Sequence, residues 1–427
     1  MKIHIENIGM IEKADVEFNG ITVICGENDT GKSTIGKCLY SMVTFFNKKE
    51  IKISYNLERI IFNVLMLNIN RYSFLFHKFD TKLELAIHNF KMDKETRNKM
   101  RILAKKIVNL ILENKATFEN ISKTIEIELD LKDKEKEDKE NFINDVLKNF
   151  TENLRTKEKV EKTFLENLFN NEFSNQINNL NKEDEIGKVS LFIKDKSINV
   201  EIKNNKVINL EQNTGIINEA YYLDSSYFPI IPIMDARNFV NHEAMSQNIF
   251  FNKNKISEAL PIKERLEKIM HLINKTNLTD IIFPENPNND IFIKHKKVSK
   301  PINIKELSTG MKSFAFLKMV LENGYVLDRD ILILDEPEIH MHPKWQLLFA
   351  EILIELQKEF NLMILINTHS PDFLDAIDTY AEKNEIKNKC KYYLAKDKTF
   401  FDKTDKLDDI YKSLFESNEI LDNIKYE

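Results

Sequence analysis

The chain has 427 residues, 42% of them hydrophobic and 30% charged, and carries a formal net charge of −6. That composition suits a globular chain of two or three units and excludes a disordered or membrane-embedded one. A net negative charge also excludes general electrostatic capture of nucleic acid, so any such contact needs a local basic patch.

The chain opens with strand-like stretches at Lys2–Ile8 and Ala14–Phe18. The charges within Met1–Glu6 rule out the continuous apolar stretch of a secretory signal. A buried strand at Ile21–Cys25 leads through a glycine loop into a helix over about Lys32–Phe46. From about residue 50 to 180 the pattern turns helical and polar, with the mixed-sign run Lys132–Glu140 as a solvated face or a linker between helices. Its apolar runs, of which Ile60–Leu67 is among the longest, fall far short of the roughly 20 residues of a spanning helix. Strand character returns at Val189–Lys194, Ser197–Lys203, Val207–Leu210 and Ala220–Leu223, with a turn at Asn204–Asn205. Residues 240–275 read as helical, and Ile281–Ile293 reads as a hairpin broken at Pro284–Asn289. A helix begins near Ser308, followed by a strand at Ile331–Leu334, a helix over Lys344–Phe360 and a strand at Met363–Asn367. Both of these strands are continuously apolar, as in a parallel sheet covered on two faces. The expected units are residues 1–48, a helical insertion at 49–186, a β lobe at 187–240, a second α/β lobe at 241–395 and a tail at 396–427. Cys25, Cys38 and Cys390 show neither a pairing pattern nor a metal spacing, which suits a reduced compartment. The expectation is a soluble cytoplasmic protein with no membrane partner.

Of nine glycines, three fall between Gly26 and Gly36. The run Gly26-Glu27-Asn28-Asp29-Thr30-Gly31-Lys32-Ser33-Thr34 matches a phosphate loop between an apolar strand and a helix. Small residues let successive backbone N–H groups turn onto phosphate oxygens, and the helix N-terminus favours the same anion. Lys32 would reach the β- and γ-phosphates of ATP, and the Ser33 hydroxyl would hold Mg²⁺. The strand Ile331–Leu334 ends in Asp335-Glu336-Pro337-Glu338, at the carboxyl edge where open α/β sheets bind ligands. Asp335 would anchor the Mg²⁺ and its waters, and Glu336 would polarise the attacking water. The segment Leu307-Ser308-Thr309-Gly310-Met311-Lys312-Ser313 stands at a helix start, where Ser308 would cap the helix in either case.

These motifs together resemble the ABC ATPase superfamily. The resemblance implies a P-loop α/β fold with a mostly parallel core sheet, an antiparallel β lobe and a helical insertion. It implies a composite site in which Ser308 and Gly310 complete the nucleotide site of a second subunit, giving a homodimer or higher oligomer. It also implies a switch role for His369 at the γ-phosphate. Thr309 and Met311 depart from the commonest signature, and Tyr221–Ser226 holds no glutamine at the expected Q-loop position. His340 and His342 have a spacing that could suit a metal, but no third ligand is evident, and an interface loop is the better reading.

The 276-residue span from Lys32 to Ser308 is similar to that of soluble relatives of SMC, Rad50 and RecF proteins and exceeds that of a compact transporter subunit. Asn28 fits the same branch. The segment Ser308–Phe314 with Asp335–Pro343 resembles a bacterial AAA-labelled group (AAA_21/AAA_15-like), including ATPases of phage-defence systems such as Septu and PARIS and the ATPase half of OLD nucleases. That resemblance implies an ATPase subunit of a defence system, with a RecF/SMC-like repair ATPase as the first alternative. The others are a transporter ATPase subunit, against which the long insertion and the missing Q-loop glutamine argue, and a non-hydrolysing switch, against which Asp335 and Glu336 argue. Because 58 residues follow His369, a Toprim nuclease domain is not expected here, and a nuclease effector would be a separate chain. Asp405, Asp408 and Asp409 read as solvated carboxylates. Arg237 could reach a phosphate or serve as a surface arginine. Lys94, Arg97, Arg101 and Lys105 recur opposite Met100, Leu103, Ile107 and Leu110, a face that could hold a nucleic-acid backbone or stay solvated.

Overall fold

The computed structural model describes residues 1–72, 94–113, 115–131, 136–153, 157–182, 184–213, 218–224, 260–282, 291–324, 326 and 328–426. Two compact units are present, Met1–Asn47 with Leu165–Glu427, and Lys48–Phe164.

In the first unit the strands are β1 (Lys2–Ile8), β2 (Ile11–Glu17), β3 (Ile21–Gly26), β4 (Gly187–Ile193), β5 (Lys196–Lys203), β6 (Lys206–Gln212), β7 (Ala220–Asp224), β8 (Leu278–Ile282), β9 (Phe292–His295), β10 (Ile302–Asn303), β11 (Ile331–Asp335), β12 (Met363–Thr368), β13 (Cys390–Lys396) and β14 (Thr399–Asp402). Eleven of them form one sheet in the order β6-β5-β4-β1-β2-β14-β13-β3-β12-β11-β7, and β10-β9-β8 form a small second sheet. The run β13-β3-β12-β11-β7 is parallel throughout. Strands β3 and β11 are buried at every residue, which is why their sequences read as unbroken apolar runs. Strand β14 pairs antiparallel with β13 and parallel with β2, and from β2 the sheet runs antiparallel through β1, β4, β5 and β6. Along β4 and β5 buried residues alternate with more exposed ones, the pattern of a sheet covered on one face. The antiparallel lobe is therefore continuous with the parallel core. Asn204 and Asn205 adopt the left-handed conformation expected of the β5–β6 turn.

The helices are α1 (Lys32–Arg71), α2 (Lys94–Leu112), α3 (Phe118–Glu128), α4 (Lys136–Asn153), α5 (Lys157–Glu172), α6 (Leu260–Ile273), α7 (Thr309–Glu322), α8 (Pro343–Phe360), α9 (Pro371–Lys383) and α10 (Leu407–Tyr426). Helix α1 runs to Arg71, well past the expected Phe46, because Leu57, Ile61, Val64 and Leu65 give it a second apolar stripe. That stripe joins Met100, Leu103, Ile107, Phe142 and Val146 in the core of the helical unit. The tail belongs to the first unit's core, since Ile410 of α10 is fully buried there. Pro284–Asn289, Arg237, Ser225 and Ser226, and residues 132–135 lie outside the described residues. Among the described residues no helix is long and apolar enough to cross a membrane.

Candidate functional site

The parallel pairing sets three chain turns side by side at one edge of the sheet. Asp335 of β11 pairs with Asn367 of β12, and Thr368 of β12 pairs with Cys25 of β3. The residues that follow are Glu336, His369 and Gly26, so the phosphate loop and both hydrolytic candidates leave adjacent strands in the same direction. That edge is where ligands bind in open parallel sheets.

The loop geometry requires its glycines. Gly26 has φ 150°, and a Cβ there would lie 2.2 Å from the Ala395 carbonyl oxygen. Gly31 has φ 94°, and its Cβ would lie 2.7 Å from Ile11 Cγ1. Glu27, Asn28 and Asp29 are exposed, Asp29 at φ 60°. Thr30 closes the loop by donating its hydroxyl to the Glu27 carbonyl at 2.9 Å. Lys32 is buried and folds back on the loop, its Nζ donating to the carbonyls of Gly26 at 3.0 Å and Glu27 at 2.6 Å. Burial holds the Lys32 ammonium below its ordinary pKa, and the Glu336 and Asp335 carboxylates oppose that shift. Ser33 is partly exposed on the first turn of α1, and Thr34 is buried against the β1–β2 turn at Gly9.

Asp335 is 7% exposed and both carboxylate oxygens are held. Oδ1 accepts from Asn367 Nδ2 at 2.9 Å and Oδ2 from the Tyr222 hydroxyl at 3.1 Å. Glu336 takes a left-handed φ of 49°, a conformation worth roughly 1–3 kcal/mol of strain and concentrated at functional turns. Its Oε1 lies 2.8 Å from His369 Nε2. That distance is short enough for an ion pair, but the ring N–H is not aligned as a hydrogen bond. Burial and then Lys32 lower the His369 pKa below its ordinary value, against the pull of Glu336.

Ser308 and Gly310 do not join this cluster in the same chain. Gly310 packs on the loop after β11, where a Cβ would meet Met341 Cγ at 2.7 Å and the His340 carbonyl at 3.1 Å. Ser308 occupies the N-cap position of α7, is exposed, and makes no side-chain cap hydrogen bond. Its hydroxyl is therefore not used as a cap. His342 caps α8 by accepting from Lys344 N–H, a structural role. Asp405 and Asp408 are exposed, and Asp409 pairs with Lys403.

Asn367 and Tyr222 were not singled out from the sequence. Their signal is positional: Asn367 pairs with Asp335 across β12 and β11, Tyr222 lies mid-way along β7 opposite Ile333, and neither placement is visible until the strand order is known. Glu338 is likewise part of the sequence motif, but the motif alone gives it no role.

The profile of the AAA ATPase domain family matches residues 1–374. The chain belongs to the AAA ATPase domain family. Within this AAA ATPase chain the match takes in the phosphate loop, Ser308, Gly310, Asp335, Glu336 and His369. The chain is similar to the endonuclease GajA of Bacillus cereus (strain HuB5-5), 25% identical over 394 residues, covering 83% of this chain and 52% of GajA. It is also similar to an OLD nuclease of Thermus scotoductus (strain ATCC 700910 / SA-01), 31% identical over 94 residues, covering 22% of this chain and 18% of that protein. The AAA ATPase chain thus spans about half the length of GajA and less of the second relative. Among solved structures it is similar to an SMC head bound to the C-terminal winged-helix domain of ScpA, at 11% identity, 94% and 96% coverage of the two chains, and TM-score 0.43. The SMC head domain from Thermotoga maritima matches at 10% identity, 94% and 97% coverage, and TM-score 0.35.

In the AAA ATPase's helical unit, Arg97, Arg101 and Lys105 are exposed on α2 opposite buried Met100, Leu103 and Ile107. Arg97 and Arg101 line a hollow of about 500 Å³ with Glu95 and Asn98. The side chain of Lys94 lies outside the described residues.

Proposed function

We propose that the chain is a Mg²⁺-dependent ATPase whose copies close in pairs around two ATP molecules. In this role it serves as the ATPase subunit of a bacterial anti-phage defence system with a separate effector nuclease. The observation that carries the ATPase reading is the convergence of the phosphate loop, Asp335–Glu336 and His369 at three adjacent parallel strand ends. The names of the two curated relatives, both nucleases, support the nuclease partnership.

The loop N–H groups and Lys32 bind the phosphates, with Lys32 exchanging its two loop carbonyls for phosphate oxygens. Ser33 and Asp335 supply the hard oxygen donors that Mg²⁺ prefers, and the fixed Asp335 carboxylate fits that role. Among the described residues no cluster of three or more His, Cys, Asp or Glu could hold a metal by itself. Two protein ligands completed by substrate phosphates is the usual Mg²⁺ arrangement at nucleotides. The ion, when bound, neutralises charge that develops on the phosphate oxygens. Glu336 takes the proton of the attacking water. His369, with its Nε2 2.8 Å from Glu336 Oε1, orients that carboxylate. The exposed Ser308 hydroxyl and the α7 N-terminus meet the γ-phosphate of the second subunit, since the first-turn N–H groups of a helix favour an anion. ATP then shifts a population towards the closed pair, and hydrolysis releases it.

The test is the mass of Glu336→Gln in solution by light scattering with and without ATP. A dimer only with ATP is expected, and a monomer at every ATP concentration would overturn the paired switch. For the biological role, cells carrying the parent system should plate phage less efficiently than cells carrying Glu336→Gln. Equal plating would remove the defence reading. The exposed Arg97, Arg101 and Lys105 support a second reading, a RecF- or SMC-like repair ATPase contacting nucleic acid through α2. Salt-dependent duplex binding lost in an Arg97→Ala/Arg101→Ala variant would favour it.

A further inference from the structure

His369 leaves β12 on a short segment whose three consecutive residues are each tied to the turn after β11 or to α8. The Thr368 hydroxyl donates to Glu338 Oε1. The His369 backbone N–H donates to the same oxygen at 3.3 Å. The Ser370 hydroxyl donates at 2.8 Å to Gln346 Oε1, and Gln346 Nε2 in turn donates to the Met341 carbonyl at 3.2 Å. Glu338 is 5% exposed, and its second oxygen, Oε2, is buried with no hydrogen-bond partner. An unmatched buried oxygen costs roughly 1–3 kcal/mol, so a carboxyl kept in such a place needs a reason. Two backbone bonds close the surrounding turn, Ile339 N–H donating to the Glu336 carbonyl at 3.2 Å and Met341 N–H to the Glu338 carbonyl at 2.9 Å.

We propose that Glu338 is a positioning residue for hydrolysis, gripping the Thr368 hydroxyl and the His369 backbone so that the imidazole stays against Glu336. The inference rests on the reading of Glu336 and His369 as hydrolytic residues. One carboxyl reaches across from the β11 turn to the β12 turn, and the 2.8 Å approach of His369 to Glu336 is set through backbone held by that carboxyl. A displacement of about 1 Å at a reacting group costs on the order of a hundredfold in rate. Glu338 thus acts on turnover and not on nucleotide affinity, which belongs to the phosphate loop.

The experiment is steady-state ATP hydrolysis by the full chain with saturating Mg²⁺. Glu338→Ala and Thr368→Val should each lower kcat roughly ten- to a hundredfold with KM for ATP almost unchanged. Thr368→Val is nearly isosteric and carries the test if Glu338→Ala fails to fold. Glu338→Gln, whose carbonyl still accepts from Thr368 and His369, should recover most of the kcat lost in Glu338→Ala. In a His369→Ala background, Glu338→Ala should cost no more than about twofold further, because its effect passes through His369. An equal loss from Glu338→Ala in both backgrounds overturns the proposal, as does a rise in KM with kcat unchanged. Parental turnover in His369→Ala alone is a distinct outcome: it removes His369 from the reaction and takes this proposal with it.

Discussion

Replacing Glu338 by Gln should remove a pH dependence of folding stability that the parent carries. Burial is the main cause that raises the Glu338 carboxyl from the ordinary 4.5 to about 7, while the hydrogen bonds from Thr368 and His369 pull it down. The folded pKa lies above the unfolded one, so the folded state binds the proton more tightly. The contribution is therefore complete below the unfolded value and is lost as pH rises through about 7. At about 1.4 kcal/mol per pH unit, moving a carboxyl that far is worth roughly 3–4 kcal/mol in full. Glutamine has the same shape and no proton to lose. The unfolding free energy of Glu338→Gln minus that of the parent should rise by about 2–3 kcal/mol between roughly pH 5 and pH 8. Urea unfolding can be followed by the fluorescence of Trp345, the chain's single tryptophan, whose ring meets Phe314 edge-on at 6.1 Å in the first unit. A difference that stays flat across that range, or falls, would refute the buried-carboxyl reasoning.

Lys32→Ala removes the buried ammonium that the loop now satisfies with two carbonyls. ATP affinity by calorimetry should fall at least roughly a hundredfold, as for loss of a charge-assisted contact, and an unchanged constant would take Lys32 out of the site. Tyr222→Phe strips one donor from Asp335 and leaves Asn367 in place. The Mg²⁺ concentration for half-maximal hydrolysis, and the Mn²⁺ dissociation constant by electron paramagnetic resonance with a non-hydrolysable ATP analogue, should each rise roughly tenfold. No change in either would mean that Asn367 alone orients the carboxylate.

The parts of the fold that were legible are those in which one physical cause acts. Strands β3, β11 and β12 are covered on both faces, so burial wrote itself into unbroken apolar runs, and the phosphate loop is fixed by backbone geometry that few residues allow. Strand β13, although it lies next to β3, is not legible as a buried strand because its apolar run is split by Tyr392 and Tyr393. Both hydroxyls are spent on partners distant in sequence, Tyr392 on Asp378 and Tyr393 on the Glu17 N–H. The length of helix α1 is not legible because Lys48, Lys49 and Glu50 interrupt its apolar pattern before the stripe at Leu57–Leu65 begins. In the site, the residues that would touch nucleotide were visible as motifs. Tyr222, Asn367 and the role of Glu338 were not, since each acts on a motif residue through a pairing across strands.

The central claim is that each nucleotide site is completed by the Ser308–Gly310 segment of a second copy. Ser308→Arg puts a bulky cation at the exposed N-terminus of α7 without touching the phosphate loop of its own chain. ATP hydrolysis by this variant, measured beside ATP binding by calorimetry, is the most direct test. Binding close to parental with neither dimerisation nor turnover is the predicted result. Hydrolysis at the parental rate would contradict the composite site and leave a phosphate-loop ATPase that works alone.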